Sequence, residues 1–193
     1  MDMNWKRVFT LLLLCLTLPL IVGVAPLPFI TSSLHPGYTP ETTHTDTSLA
    51  GIWADAYLGE IAIEPLPDGG YYVRSNGGGL LSLMGLTFKA RLFQLGHVLF
   101  VDLVPSGETF KSIYPTDSHC FAVVKIDKRS LSLTLLDPAF VADQIRAYPH
   151  KLKYVEYRNG LLLTEPPAVL QKLLMEIAVK PGSAYDTYRF TKR

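Results

Sequence analysis

Asp102 fits its surroundings least well of the chain's ionisable residues. It stands between Val101 and Leu103 in the run VLFVDLV, where a half-buried strand takes apolar or neutral side chains. Three uses of such a carboxylate are open. Its face could be the wet one, it could pair with Lys89 or Arg91 on the preceding strand, or it could point into an interior as the polar anchor for a ligand. In the last case Tyr71, Tyr72, Phe88 and Phe100, from the same set of strands, would supply the apolar wall.

Acid–base or nucleophilic chemistry would draw on the same region. His97, His119, Asp102 and Asp117 could be assembled into a hydrolytic site across neighbouring strands, but nothing in their spacing requires it. Ser118 and His119 are adjacent, so on a strand their side chains point to opposite faces and do not pair. The chain has no Gly-x-Ser-x-Gly elbow. No catalytic residue is assigned, and the chain reads as a binding or interaction domain in preference to an enzyme.

Metal and phosphate chemistry find little support. His35 and His44 lie nine residues apart with no carboxylate or cysteine cluster beside them, and no His-x-His, His-Glu-x-x-His or Cys-x-x-Cys spacing occurs. Asn76-Gly77-Gly78-Gly79 could offer backbone N–H groups to an anion but lacks the Lys-Ser/Thr and helix of a phosphate loop, so it reads as a turn. No metal or cofactor is implied. Cys15 lies in an apolar run and Cys120 in a strand-like one, which leaves no internal disulfide and makes Cys120 a small buried apolar residue.

The elements that would position these residues follow from charge and hydropathy patterning. The 193 residues carry 18 Lys+Arg and 17 Asp+Glu, with no basic cluster to displace the counterions of a nucleic acid, so DNA and RNA are not expected partners. Lys6 and Arg7 precede a stretch from Val8 to Ile30 that holds no charged residue and is long enough to cross about 30 Å of hydrocarbon. Residues 1–30 therefore read as an export signal or a membrane anchor, with the remainder outside the cytoplasm, periplasmic or secreted if cleavage occurs. Gly23-Val24-Ala25 suits cleavage and Pro26 opposes it, and Leu14 before Cys15 does not suit lipid attachment. Residues 31–48 (TSSLHPGYTPETTHTDTS) are half Ser and Thr with no apolar periodicity, which reads as a linker. Residues 49–193 form the folded domain.

Within that domain the dominant period is two. Glu60–Glu64 and Tyr71–Arg74 flank Asp68-Gly69-Gly70; Leu86–Gln94 and His97–Val104 flank Leu95-Gly96; Cys120–Ile126 and Leu131–Leu136 flank a four-residue turn. Lys153–Arg158 and Leu161–Thr164 flank Asn159-Gly160, the strongest short hairpin signal. Asp137-Pro138 opens a short helix through Tyr148, and Leu170, Leu173, Leu174 and Ile177 form the stripe of a stronger one over Pro166–Val179. Tyr185–Thr191 closes the chain as a strand. The fold class is mainly β: about ten short strands in an antiparallel meander that hides its edges by closing into a barrel, with a C-terminal helix and a short second helix. A β-sandwich is the alternative.

Leu49-Ala50-Gly51-Ile52-Trp53 resembles the opening of a lipocalin or related calycin barrel, whose first strand carries Gly-x-Trp. Thr116-Asp117 before Phe121-Ala122-Val123-Val124 is similar to the family's Thr-Asp motif leading into a late strand, and Arg189 follows the C-terminal helix in the order of the arginine that packs over the signature Trp. The resemblance covers Leu49–Arg193 by motif order. It departs from the family in the extra hairpin and helices before the last strand, and in lacking the common disulfide. It implies a lipocalin-like barrel in which Gly51, Trp53, Thr116, Asp117 and Arg189 are structural. Together these readings point to an exported domain, tethered through residues 8–30, that binds a small apolar or amphipathic ligand without catalysis. A cell-envelope module with a filled barrel and a protein partner is the alternative.

Overall fold

Short runs of period two make strands, and every strand edge needs a partner. The computed structural model describes residues 31–79, 85, 87–106, 117–147, 152–157, 160–180 and 182–193; among them are twelve strands and two α-helices. The strands are β1 (Ser32–Ser33), β2 (Thr43–His44), β3 (Gly51–Asp55), β4 (Gly59–Pro65), β5 (Tyr71–Gly77), β6 (Thr87–Leu95), β7 (Val98–Pro105), β8 (His119–Asp127), β9 (Ser130–Leu136), β10 (Tyr154–Tyr157), β11 (Gly160–Leu163) and β12 (Ala184–Lys192). Helix α1 spans Pro138–Ala147 and α2 spans Pro167–Ala178.

Strands β3 to β9 pair antiparallel in chain order, and β12 enters between β9 and β3, closing an eight-stranded antiparallel barrel. Beside it, β8 forks. Its Ala122–Asp127 stretch pairs with β9, while Cys120 and His119 pair with Ser32 and Ser33 of β1, which runs parallel to β11 and so carries the β10–β11 hairpin.

Alternation sorts side chains into two cores. Trp53, Ile61, Ile63, Tyr71, Leu92, Val101, Val124, Leu131 and Phe190 fill the inside of the barrel. On the outside of β6 to β8, Phe93, Leu95, Phe100 and Phe121 pack against Val141 and Ile145 of α1 and Leu170, Leu173, Leu174 and Ile177 of α2. The three strands are thus apolar on both faces. The Asp137 carboxylate accepts from the N–H groups of Ala139 and Phe140 at 2.8 and 3.3 Å, the N-cap that starts α1.

One end of the barrel is sealed by Trp53. Trp53 is fully buried, and its Nε1–H donates to the Leu49 carbonyl at 2.8 Å, drawing the 3₁₀ turn Thr47–Leu49 across that end. Lys192 sits 5.3 Å over the Trp53 ring and donates to the Ser48 carbonyl. Gly51 has φ +133°, a region that disfavours side chains, and a Cβ there would lie 3.1 Å from Lys192 Cε.

Two expectations change. Arg189 does not cover Trp53: it pairs with Ser132 on the outer face and is exposed, and Lys192 takes that place because β12 keeps Phe190 and Lys192 pointing inward. The segment 31–48 is no free linker. It supplies β1, β2 and the 3₁₀ turn, because its backbone finds partners on β8 and β6 that are remote in sequence. Asp117 is an exposed turn residue with φ +38° just before β8, and Thr116 and the apolar run 8–30 lie outside the described residues. Among the described residues no helix is long and apolar enough to cross a membrane.

Replacing Lys192 by Ala is expected to cost about 1–2 kcal/mol in urea unfolding, from the lost ring contact and hydrogen bond. Arg189→Ala should stay within about 0.5 kcal/mol of the parent, as exposed positions do. A larger loss at Arg189 than at Lys192 would contradict this assignment.

Candidate binding cavity and the buried Asp102–His119 pair

The end of the barrel opposite Trp53 is built differently. Inward-facing Val73, Leu103, Leu133, Leu135 and Tyr188 pack on the inner core yet are only partly buried. Phe88, on the same face of β6 as Ala90 and Leu92, is also partly buried. Trp53, Tyr71, Leu92, Val101 and Phe190 near the sealed end are buried completely or nearly so. Leu99 and Ile126, also inward-facing, are partly buried as well and lie beside the β6–β7 and β8–β9 turns at the Trp53 end, so inner side chains reach solvent toward both ends. Ser75 and Asp186 stand on the inner face near this mouth and add a polar rim to an apolar wall.

The five residues expected to share one ligand site divide between two faces. Tyr71 is inside but near the sealed end, where its hydroxyl accepts from the Asp46 N–H and donates to the Asp46 carbonyl, at 2.8 and 3.0 Å. Burial raises the Tyr71 phenol above its ordinary value. Phe88 is inside near the mouth. Tyr72 pairs with Lys89 on the outer face, and Phe100 stacks outside on Phe93 with ring centroids 5.3 Å apart.

Asp102 also faces outward, because it shares a face with Phe100 and Phe121. Its face is nonetheless dry. Asp102 is 1 % exposed, and its Oδ2 accepts from the Gly37 N–H at 3.0 Å while Oδ1 lies 2.8 Å from His119 Nδ1. With the carboxylate ionised, Nδ1–H is the donor, which fixes the imidazole tautomer. Arg91 is the cross-strand neighbour of Asp102, but its guanidinium bonds Asp68 and lies over Tyr38. Gly37 fits there because a Cβ would come within 2.8 Å of both Phe93 and Phe121. The Gly37 carbonyl accepts from Gln171 of α2, so the arm is clamped between Asp102 and that helix.

Burial holds the Asp102 carboxyl above the usual carboxylate range, opposed by the His119 bond and charge, then by the Gly37 bond and Arg91. Burial, then the Asp102 charge, pushes the neighbouring Cys120 thiol up to about 12, which suits a buried inert residue. Ser33 stands opposite His119 but is fully buried, and its hydroxyl accepts from the His35 N–H. Asp117 is exposed in its turn, and His97 is exposed in the β6–β7 turn. Of the four candidate hydrolytic residues the structure pairs only Asp102 and His119, and it pairs them as a structural clamp. Among the described residues no group of three or more His, Cys, Asp or Glu could hold a metal. The roles of Gly37 and Ser33 have no local sequence signal, because they arise only where the arm meets β7 and β8.

Asp102→Ala should cost about 1–3 kcal/mol, since it strands the Gly37 N–H and a half-buried imidazole, whereas Asp102→Asn should cost about 1 kcal/mol. The raised carboxyl contributes stability that is fully present below its ordinary value near pH 3.9 and is lost as pH rises through the folded-state value. Urea unfolding at successive pH values should therefore show the parent losing stability relative to Asp102→Asn as pH rises; a relative gain would contradict the assignment. Gly37→Ala should cost about 1–3 kcal/mol by overpacking. Compared with models of protein families, with curated proteins and with solved structures, the chain matches none significantly.

Proposed function

We propose that this domain binds a small apolar or amphipathic molecule in the mouth of its barrel and performs no chemistry on it. The observation that carries the reading is the set of inward-facing but partly exposed side chains, Val73, Phe88, Leu103, Leu133, Leu135 and Tyr188, toward the end of the barrel away from the Trp53 plug. Burying such surface under a ligand is favourable by about 25 cal/mol per Å². Eight strands enclose enough room for side chains or for one small ligand.

The lipocalin likeness supports the same reading. A tryptophan of Gly-x-Trp, a 3₁₀ turn and a cation from the last strand close one end, which leaves the other end for entry. A mouth with Ser75 and Asp186 at its rim and hydrocarbon walls favours a molecule with one polar end. The domain is taken to act outside the cytoplasm, by the Lys6-Arg7 start and the charge-free stretch behind it.

Titration with cis-parinaric acid, whose fluorescence rises in an apolar cavity, tests this. Saturable binding at one site per chain is expected, weakened about tenfold or more by Leu135→Arg and unchanged by Ile52→Arg on the exposed outside of β3. Circular dichroism of both variants controls for folding. No saturable binding to the folded parent would favour the filled module with a protein partner.

A further inference from the structure

The seam that closes the barrel leaves a cleft on its outer side. Strand β12 pairs with β3 only at Thr191 with Ala54 and at Lys192 with Trp53, and the two strands part beyond these residues. Trp53 and Phe190 face inward, so Ala54 and Thr191 face outward. They line a cleft of about 510 Å³, together with Asp55, Ala56, Arg129, Lys192 and Arg193. That volume lies within the range of small-molecule sites, about 300–1,000 Å³.

Two stretches remote in sequence bring cations to this place. Lys125, Lys128 and Arg129 belong to β8 and its turn, Arg189, Lys192 and Arg193 to β12, and the pairing of β9 with both strands sets the two groups side by side. Across the outer face Lys125, Ser132 and Arg189 stand in one cross-strand row, and Asp127, Ser130 and Thr191 in the next. The Arg129 carbonyl accepts from the Lys192 N–H at 3.0 Å, which holds the turn against the end of β12. Among the described residues the Arg129 guanidinium has no ion-pair or hydrogen-bond partner. Arg193 bonds Glu60 through Nε at 3.2 Å, which leaves its terminal amino groups available. The acids nearby are engaged elsewhere: Asp55 accepts from the N–H groups of Tyr57 and Leu58 at 2.8 and 2.7 Å, Asp127 from that of Lys128 at 2.7 Å, and Glu60 holds Arg193.

We propose that this cleft binds a phosphomonoester group, with Arg129 and Arg193 supplying guanidinium donors and Thr191 a hydroxyl. A guanidinium presents paired N–H donors that match the oxygens of a phosphate, and a doubly charged group gains more than a carboxylate where several cations converge. Lys125, Lys128 and Arg189 on the same face raise the local potential and draw an anion toward the cleft. The Lys192 ammonium, held on the Ser48 carbonyl, adds its charge from within. The cleft lies outside the barrel wall and shares no residue with the mouth, so this site stands independently of the apolar cavity.

The test follows amide signals of the isotopically labelled full chain by nuclear magnetic resonance at constant ionic strength. Two probes are used: glycerol phosphate added to the chain in dodecyl maltoside, and phosphatidic acid in phosphatidylcholine nanodiscs compared with phosphatidylcholine alone. Saturable shifts at Ala54, Ala56 and Thr191 are expected. Arg129→Gln should weaken binding about tenfold or more and Thr191→Val about threefold, while Lys89→Gln, at an exposed cation on β6, should leave it unchanged. Arg129→Lys, which keeps the charge and loses the fork, should fall between parent and Arg129→Gln. Circular dichroism of each variant controls for folding. A response to glycerol phosphate assigns the site to a soluble phosphomonoester, and a response to phosphatidic acid alone assigns it to a lipid headgroup. No saturable shift with either probe, equal weakening by Lys89→Gln, or equal affinity for acetate overturns the site.

Discussion

Closure of the meander by β12 is the constraint on which the rest of the structure depends. A seven-stranded sheet from β3 to β9 leaves two open edges, and β12 satisfies both by pairing with β9 along its length and with β3 at its end. That second contact is short, Thr191 with Ala54 and Lys192 with Trp53, so it is reinforced by side chains. Lys192 over the Trp53 ring, with its ammonium on the Ser48 carbonyl, joins the last strand to the first and to the 3₁₀ turn.

A second consequence concerns the outer wall. The strands β6, β7 and β8 are apolar on both faces, so the barrel cannot stand alone in water and must be covered on that side. Among the described residues, helices α1 and α2, the β10–β11 hairpin and the arm from Ser32 to His44 pack on that side. Asp102 lies where arm, barrel and helix layer meet. A carboxylate in that position is costly to bury, and its bonds from Gly37 and His119 offset the cost while pinning the arm in one register. The clamp stabilises the outer wall of the barrel.

Much of this was legible in the residues. The hairpins β4–β5, β6–β7, β8–β9 and β10–β11 and both helices fall where alternation, turn residues and the Leu170–Ile177 stripe place them. The sealed end was announced by Gly51-Ile52-Trp53, but its cation was assigned by residue type where register decides: one step along a strand reverses the face, which puts Arg189 outside and Lys192 inside. Asp102 misled for a related reason. Unbroken apolar runs such as VLFVDLV signal burial on both faces, and a polar residue within one need not look inward. The arm was illegible because its partners lie some 50 to 130 residues away in sequence and its own bonds are mostly backbone.

We propose that, of the two apolar cores, the inner one admits a ligand at the end away from Trp53. Methyl-resolved nuclear magnetic resonance with a nitroxide-labelled fatty acid tests this most directly, because the two cores are lined by different leucines. The account expects selective broadening of the methyl signals of Leu103, Leu133 and Leu135 around the mouth, with Leu170 and Leu174 beneath the helices unaffected. Broadening confined to Leu170 and Leu174, or none at any of the five at saturating probe, would contradict it.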